Sequence, residues 1–234
     1  VIGEILPAGV RFAEAFDDSG AAGWFPEEEA LVARAVHKRR AEFRTVRRCA
    51  RAALASFGVP PAPLLRGSRG EPRWPAGFVG SMTHCAGYRG AAVARSTEFV
   101  SLGIDAEPDD PLPGEVLALV SLPEERDRLA RQEADGEAAA VRADRLLFSA
   151  KEAVFKAWYP LTGRELDFAE ASVSFGYTTA RSGTFEARLL VPGPELDGSR
   201  PDGFTGRWTA RHGLVLTAVT VCPPGRPAPG AQGN

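Results

Sequence analysis

From Phe25 to Gly58 the apolar positions recur at three- and four-residue steps, the spacing of a helix with one buried face. In "FPEEEALVARAVHKRRAEFRTVRRCARAALASFG" that face is Phe43, Val46, Ala50, Leu54 and Phe57. Pro26 suits a first helical position, and Glu27, Glu28 and Glu29 complement the positive end of the helix dipole. Gly58, followed by Val59-Pro60-Pro61, stops the helix, and a break is expected near His37. After the Pro/Gly-rich loop "PPAPLLRGSRGEPRWPAG" the period changes to two. "FVGSMTH", "GAAVARS" and "FVSLGIDAE" predict three strands joined at Ala86-Gly87 and Ser96-Thr97 as a β-meander. Pro108, Pro111 and Pro113 close the third strand and mark a boundary between two halves.

The second half predicts a helix over 114–130, a flexible loop in "RQEADGEAAA", and a helix from Asp144 to Trp158 closed by Pro160 and Gly163. "ASVSFGY", "GTFEARLLV" and "FTGRWTARHGLVLTAVTV" predict further strands, and "PPGRPAPGAQGN" has the composition of a disordered tail. The expected fold is α+β: two pseudo-symmetric halves, 1–107 and 108–222, each a small antiparallel sheet packed with a long helix, then a tail over 223–234. The letters themselves carry no repeat.

Composition narrows the class. The 234 residues carry 25% charged and 44% hydrophobic side chains, ordinary for a globular protein. A net charge of −2 provides no global field toward nucleic acid or anionic membrane, so neither is an expected partner. No apolar run approaches the length of a membrane span, and "VIGEILPAG" lacks the features of a secretory signal. A first residue of Val suggests a trimmed chain or an alternative start codon. Cys49, Cys85 and Cys222 are odd in number and show no CxxC spacing, which argues against a disulfide framework or zinc site and fits a reducing cytoplasm.

Among the 28 Lys and Arg, only Lys38, Lys151 and Lys156 are lysine, and two of them fall in "FSAKEAVFKAWYPL". Glu152 lies there on an otherwise apolar helix, with Lys156 one turn later in the favourable order for an i,i+4 pair. It is either an exposed pair or a ligand acid beside a compact ammonium that can reach a phosphate oxygen and give up a proton, which arginine cannot. Lys151 is equally placed for a point-charge phosphate contact. In "GIDAEP", strand alternation puts Asp105 and Glu107 on one face, where they are either solvated or share a cation. Oxygen ligands without His or Cys favour Mg²⁺ over Zn²⁺.

"GSMTHC" places Ser81 and His84 at a strand end. A Ser/His/Asp triad with Asp105 lacks the GxSxG elbow, and Cys85 reads as core. The run "HKRRAEFRTVRRCAR" is nearly all positive in a slightly acidic chain, which points to a local anion site, phosphate above all. No RNA-binding aromatic signature accompanies it.

In order along the chain, "RAEFRTVRRCARAAL", "RGSRGEPRWP", "GSMTHCAGYRGAAVA", "SLGIDAEP" and "LLFSAKEAVFKAWYPL" resemble the 4′-phosphopantetheinyl transferases, the larger single-chain kind with two similar halves. They cover most of 38–161, and the details are close to the actinobacterial enzymes that prime polyketide, peptide and fatty-acid synthases. The resemblance implies transfer of the phosphopantetheine arm of coenzyme A to a serine of an apo acyl or peptidyl carrier protein, with adenosine 3′,5′-bisphosphate as the other product. By the same resemblance Asp105, Glu107 and Glu152 hold Mg²⁺, Lys156 contacts the reacting phosphate, and His84 meets the coenzyme A phosphates. Arg39, Arg47 and Arg66 fall where basic residues hold the nucleotide end, with Arg40 or Arg48 able to trade places. The first half is then the nucleotide side and the second the carrier side, in an expected monomer. Ala153 stands where many members have Ser, and Arg66 where a Lys is common.

Overall fold

The computed structural model describes residues 1–20, 25–134 and 140–225. A short strand, β1 (Arg11–Ala15), precedes two helices, α1 (Pro26–Val32) and α2 (His37–Ala55). The expected break falls where α2 begins. β2 (Phe78–Cys85), β3 (Tyr88–Arg95) and β4 (Ser101–Pro108) follow, then α3 (Gly114–Val120), α4 (Pro123–Ala134) and α5 (Ala143–Thr162). Four strands close the described chain: β5 (Ala171–Thr179), β6 (Ser182–Leu189), β7 (Gly203–Arg211) and β8 (Leu214–Val221).

These strands form two antiparallel sheets, ordered β1-β3-β2 and β4-β8-β7-β6-β5. Each carries one long helix. α2 lays Ala50, Ala53 and Leu54 against Ala91 and Val93 of β3. α5 packs Leu146, Ala150, Val154 and Trp158 onto the larger sheet with Phe185 and Trp208. A third apolar cluster, including Tyr88, Phe99, Ile104 and Leu216, fills the space between the sheets.

The predicted meander is corrected at its third strand. β4 pairs with β8 from Ser101↔Val221 to Pro108↔Leu214, not with β3. β4 thus belongs to the second sheet although it precedes the expected boundary at residue 107. Its other edge is met by side chains of β2: the Ile104 N–H donates to Ser81 Oγ at 3.0 Å and the Ala106 N–H to Thr83 Oγ1 at 3.1 Å. Buried hydroxyls of β2 satisfy β4 donors that pairing with β3 would have satisfied in a meander.

Three helix expectations change. The helix expected over 114–130 is two, because Pro123 starts α4 and holds Leu122 out of helical geometry. α4 runs to Ala134, so the expected loop starts later, and 135–139 lie outside the described residues, as do 226–234 of the expected tail. α5 runs through Pro160 to Thr162 and closes at Gly163, whose φ of 62° is left-handed and whose N–H returns to Tyr159 O at 2.8 Å. The run "FTGRWTARHGLVLTAVTV" folds back on itself at His212 and Gly213, with φ of 55° and 72°, a two-residue hairpin of the I′ kind. β1 carries no such signal in the sequence. Its five residues pair with β3 at an edge.

Candidate functional site

Where the sheets meet, a cleft of about 620 Å³ opens between α2, the loop after it, β2 and the end of α5. Its apolar walls include Val46, Trp74, Met82 and Phe155. Its charge comes from Arg39, Arg47, Arg66, His84 and Lys156. With Ser81, six of the seven residues expected to bind the nucleotide and phosphates thus line one cavity.

The arginine stripe is sorted by its partners. Arg40 and Arg44 turn to Glu29, Arg51 to Glu28 at 2.5 Å, and Arg48 to the carbonyls of Ser19 and Gly20. Neither Arg40 nor Arg48 therefore trades places with the cleft arginines. Arg47 is buried, donates from Nε to Leu64 O at 2.9 Å, and stacks 3.3 Å from the Phe43 ring centroid. Arg66 lies 4.7 Å from the same ring. Burial, with the neighbouring arginines, brings Arg47 down to about 9, and burial with Arg39 lowers Arg66. Clustered guanidinium groups crowd one another, so a bound anion relieves them. Arg66 is presented by a small hairpin in which Gly67 N donates to Glu71 O at 2.7 Å and Arg73 N to Leu65 O at 2.9 Å.

At the far end of the cleft, Lys156 reaches from α5 to Asp105 on β4. Its Nζ donates to Asp105 Oδ1 at 2.6 Å and to Ile104 O at 3.2 Å. Asp105 Oδ1 also accepts from Thr83 at 3.2 Å, while Oδ2 is buried without a hydrogen-bond partner. Glu107 accepts from Arg145 Nη1 at 3.0 Å. Burial and the Asp105 charge push Glu107 up to about 7. Burial also raises Glu152, with Asp105 adding to it and Lys156 opposing. Glu107 and Glu152 thus each feel the Asp105 charge, but among the described residues no three His, Cys, Asp or Glu stand close enough to hold a metal ion. Lys156 and Arg145 take up the carboxylate charge instead. The donor set still fits a hard cation: all candidate ligands are oxygen, one buried oxygen is unpartnered, and burial with the Asp105 charge holds two acids toward their neutral forms.

Helix and sheet approach closely because Gly103 has no side chain. A Cβ there would stand 2.0 Å from Ala153 O and 2.7 Å from Ala157 N. This contact lays the Glu152–Lys156 turn over Asp105.

Comparison with known proteins decides the family. Residues 27–94 match the 4′-phosphopantetheinyl transferase N-terminal domain, and residues 101–192 the 4′-phosphopantetheinyl transferase superfamily. The 4′-phosphopantetheinyl transferase Svp of Streptomyces mobaraensis is 59% identical over 96% of this chain and 90% of its own length. PptT of Mycobacterium tuberculosis is 49% identical over 94% of this chain and 98% of its own, and Npt of Nocardia iowensis 49% over 94% and 99%. The chain belongs to the 4′-phosphopantetheinyl transferases. It is an enzyme acting on carrier proteins. None of its described helices is long and apolar enough to cross a membrane.

One assignment changes within this transferase. Lys151 is not in the cleft. Its ammonium pairs with Glu125 at 2.7 Å and donates to Phe168 O at 2.7 Å, and both side chains are almost wholly buried. Glu125 also accepts from the N–H groups of Leu122 and Val173, each at 2.7 Å, so the pair ties α4 and β5 to α5. Lys151 and Glu152 line a separate cavity of about 190 Å³ with Phe155 and Phe168. Ser81 lines the cleft, where its Oγ accepts from the Ile104 N–H and joins the sheets while its own O–H can still donate. Thr83, Glu42 and Arg145 escaped the sequence reading. Thr83 alone had a signal, being two residues from Ser81 on the same strand face.

Proposed function

We propose that this transferase moves the 4′-phosphopantetheine arm of coenzyme A onto a serine of apo acyl or peptidyl carrier proteins, releasing adenosine 3′,5′-bisphosphate. The observation that carries the reading is the cationic cleft between the sheets, ending at Lys156 and Asp105. Arg39, Arg47, Arg66 and His84 suit the phosphates of the nucleotide end, and the apolar walls suit its uncharged parts. Binding there fixes the diphosphate relative to α5, so energy gained far from the reacting bond orients it.

The serine oxygen attacks the phosphorus that bears the pantetheine arm, and the bond from that phosphorus to the bridging oxygen breaks. Burial raises the proton affinity of Glu152, so its carboxylate is a stronger base than an exposed one and accepts the serine proton directly or through a water. Lys156 stabilises or protonates the departing oxygen. Asp105, Glu107 and Glu152 would hold Mg²⁺, which supplies charge neutralisation to the diphosphate oxygens when bound. The carrier's serine-bearing helix docks at the cleft beside the second half, where exposed arginines complement acidic carriers. Carriers of polyketide, peptide or fatty-acid synthases are the expected substrates.

The test is the mass of an apo carrier after incubation with the protein, coenzyme A and Mg²⁺. A carrier heavier by the phosphopantetheine arm is expected. Unchanged mass across several carrier types rejects the reading, and nucleotide release without carrier would indicate hydrolysis instead. Glu152→Gln is expected to fold normally and to lose transfer; a normal rate would show that this acid is neither ligand nor base.

A further inference from the structure

An acid stands among the cations of the cleft. Two carboxylates line it, Glu42 and Glu71. Glu71 belongs to its own hairpin, accepting from Arg69 N at 2.9 Å. Glu42, one turn after Arg39 on α2, is mostly buried and faces the phosphate-binding groups. One carboxylate oxygen lies 3.9 Å from Arg39 Nη1 and 3.8 Å from His84 Nε2, and the other 3.4 Å from Arg89 Nη2. Arg89 is itself fixed. It grips Asp18 at 3.0 and 2.7 Å and donates to Cys85 O at 2.5 Å and Tyr88 O at 2.9 Å, which pins the turn after His84.

A carboxylate in an anion site repels the ligand, so its presence needs a compensating role. The contact between Arg39 and His84 supplies one. Arg39 Nη1 donates to His84 Nε2, which requires a lone pair on Nε2 and hence a neutral ring. Burial, Arg39, Lys156 and Arg89 favour that neutral ring, and Glu42 alone among the groups facing it favours the charged one. A phosphate entering between the two side chains takes over the arginine donor. Nε2 can then donate to the phosphate only after gaining a proton, from solvent or by exchange with Nδ1, and the Glu42 carboxylate favours the first because it stabilises the charged ring.

We propose that Glu42 is a positioning residue that aims Arg39 and His84 at the phosphates, and that His84 takes a proton from solvent onto Nε2 as coenzyme A binds. The inference rests on the cleft being the coenzyme A site. The resulting imidazolium lies between the bound anion and the Glu42 carboxylate, with Arg39 free to donate to the anion.

Calorimetric titration of coenzyme A into the full chain, in buffers of different ionisation enthalpy, counts the protons exchanged. The same count for His84→Gln removes the ligand's own titration. At pH 7.5 the unaltered protein is expected to take up more protons than His84→Gln. Glu42→Gln is expected to weaken coenzyme A binding about five- to tenfold at pH 7.5, as for a loss of up to one pKa unit on the histidine. That deficit should narrow toward pH 6 and fall on KM more than on kcat. Equal proton counts in the parent and His84→Gln, with coenzyme A bound to both, would overturn the inference while leaving the site assignment intact. So would a Glu42→Gln deficit independent of pH, the mark of a purely structural role. Should Glu42→Gln fail to fold, the comparison of parent and His84→Gln still decides. Failure of coenzyme A to bind the parent protein would instead reject the site itself.

Discussion

At the scale of single residues, chemistry rather than charge separates Lys156 from the arginines around it. Its ammonium fits between Asp105 Oδ1 and the Ile104 carbonyl, a space reached from one side of a helix packed tightly on a strand. A guanidinium is planar, larger and unable to release its proton. Lys156→Arg is therefore expected to fold and to lose transfer by about a hundredfold, measured as kcat with saturating coenzyme A. Full activity would make the lysine incidental. The candidates Asp105, Glu107, Glu152 and Lys156 could be named from the sequence because two short motifs carry them. Glu42 and Arg145 could not, since a lone charge on a helix looks solvated until its neighbours across the fold are known. Lys151 was misassigned for the same reason: nothing local marks it as the partner of Glu125, 26 residues earlier and buried with it.

At the scale of elements, the contact of α5 with β4 sets the geometry of the reacting end. Gly103 is where the two backbones come closest. Gly103→Ala would lift the helix and separate Glu152 and Lys156 from Asp105. We expect loss of stability in thermal melts and, in the folded fraction, transfer reduced by about a hundredfold, the size of effect a displacement near 1 Å produces. The other long helix is anchored through α1. Arg44, with Arg40, holds the Glu29 carboxyl below its ordinary value of 4.5. A folded value below the unfolded one gives stability that is complete above the unfolded value and fades as pH falls through the folded one. Glu29→Gln should therefore be less stable than the parent at pH 7. The gap should close below about pH 4 as the parent's carboxyl is neutralised, read from urea midpoints at both values. Helix α2, its start and its arginine stripe followed from periodicity. The split between α3 and α4 was written in Pro123, yet the apolar pattern continued across it. Pro160 was overread as a stop: a proline near a helix end removes one hydrogen bond, and packing of Trp158 and Leu161 on the core carries the helix past it.

At the scale of the whole molecule, the cleft proposed to take coenzyme A draws on both sheets. Arg39, Arg47 and Arg66 come with the first, and Lys156 and Phe155 with the second. A ligand held by both should stabilise the chain as one unit. Coenzyme A at about a hundred times its dissociation constant adds about 2.7 kcal/mol. The melting temperature should then rise by roughly 5–10 °C in a single transition. Two transitions, one unmoved, would confine binding to a single half.

The sequence by itself determined the family, the helices with clear periodic faces, and the motifs carrying the candidate acids and Lys156, because each is written in residues near one another in the chain. Tertiary structure alone decided that β4 leaves its neighbours to pair with β8, that β1 completes the smaller sheet, and which arginines of one helix enter the cleft. Strand partners and buried counter-ions are chosen by contacts between segments that can lie more than a hundred residues apart. Those contacts depend on which donors and charges are left unsatisfied once the chain is packed, and no local pattern records that.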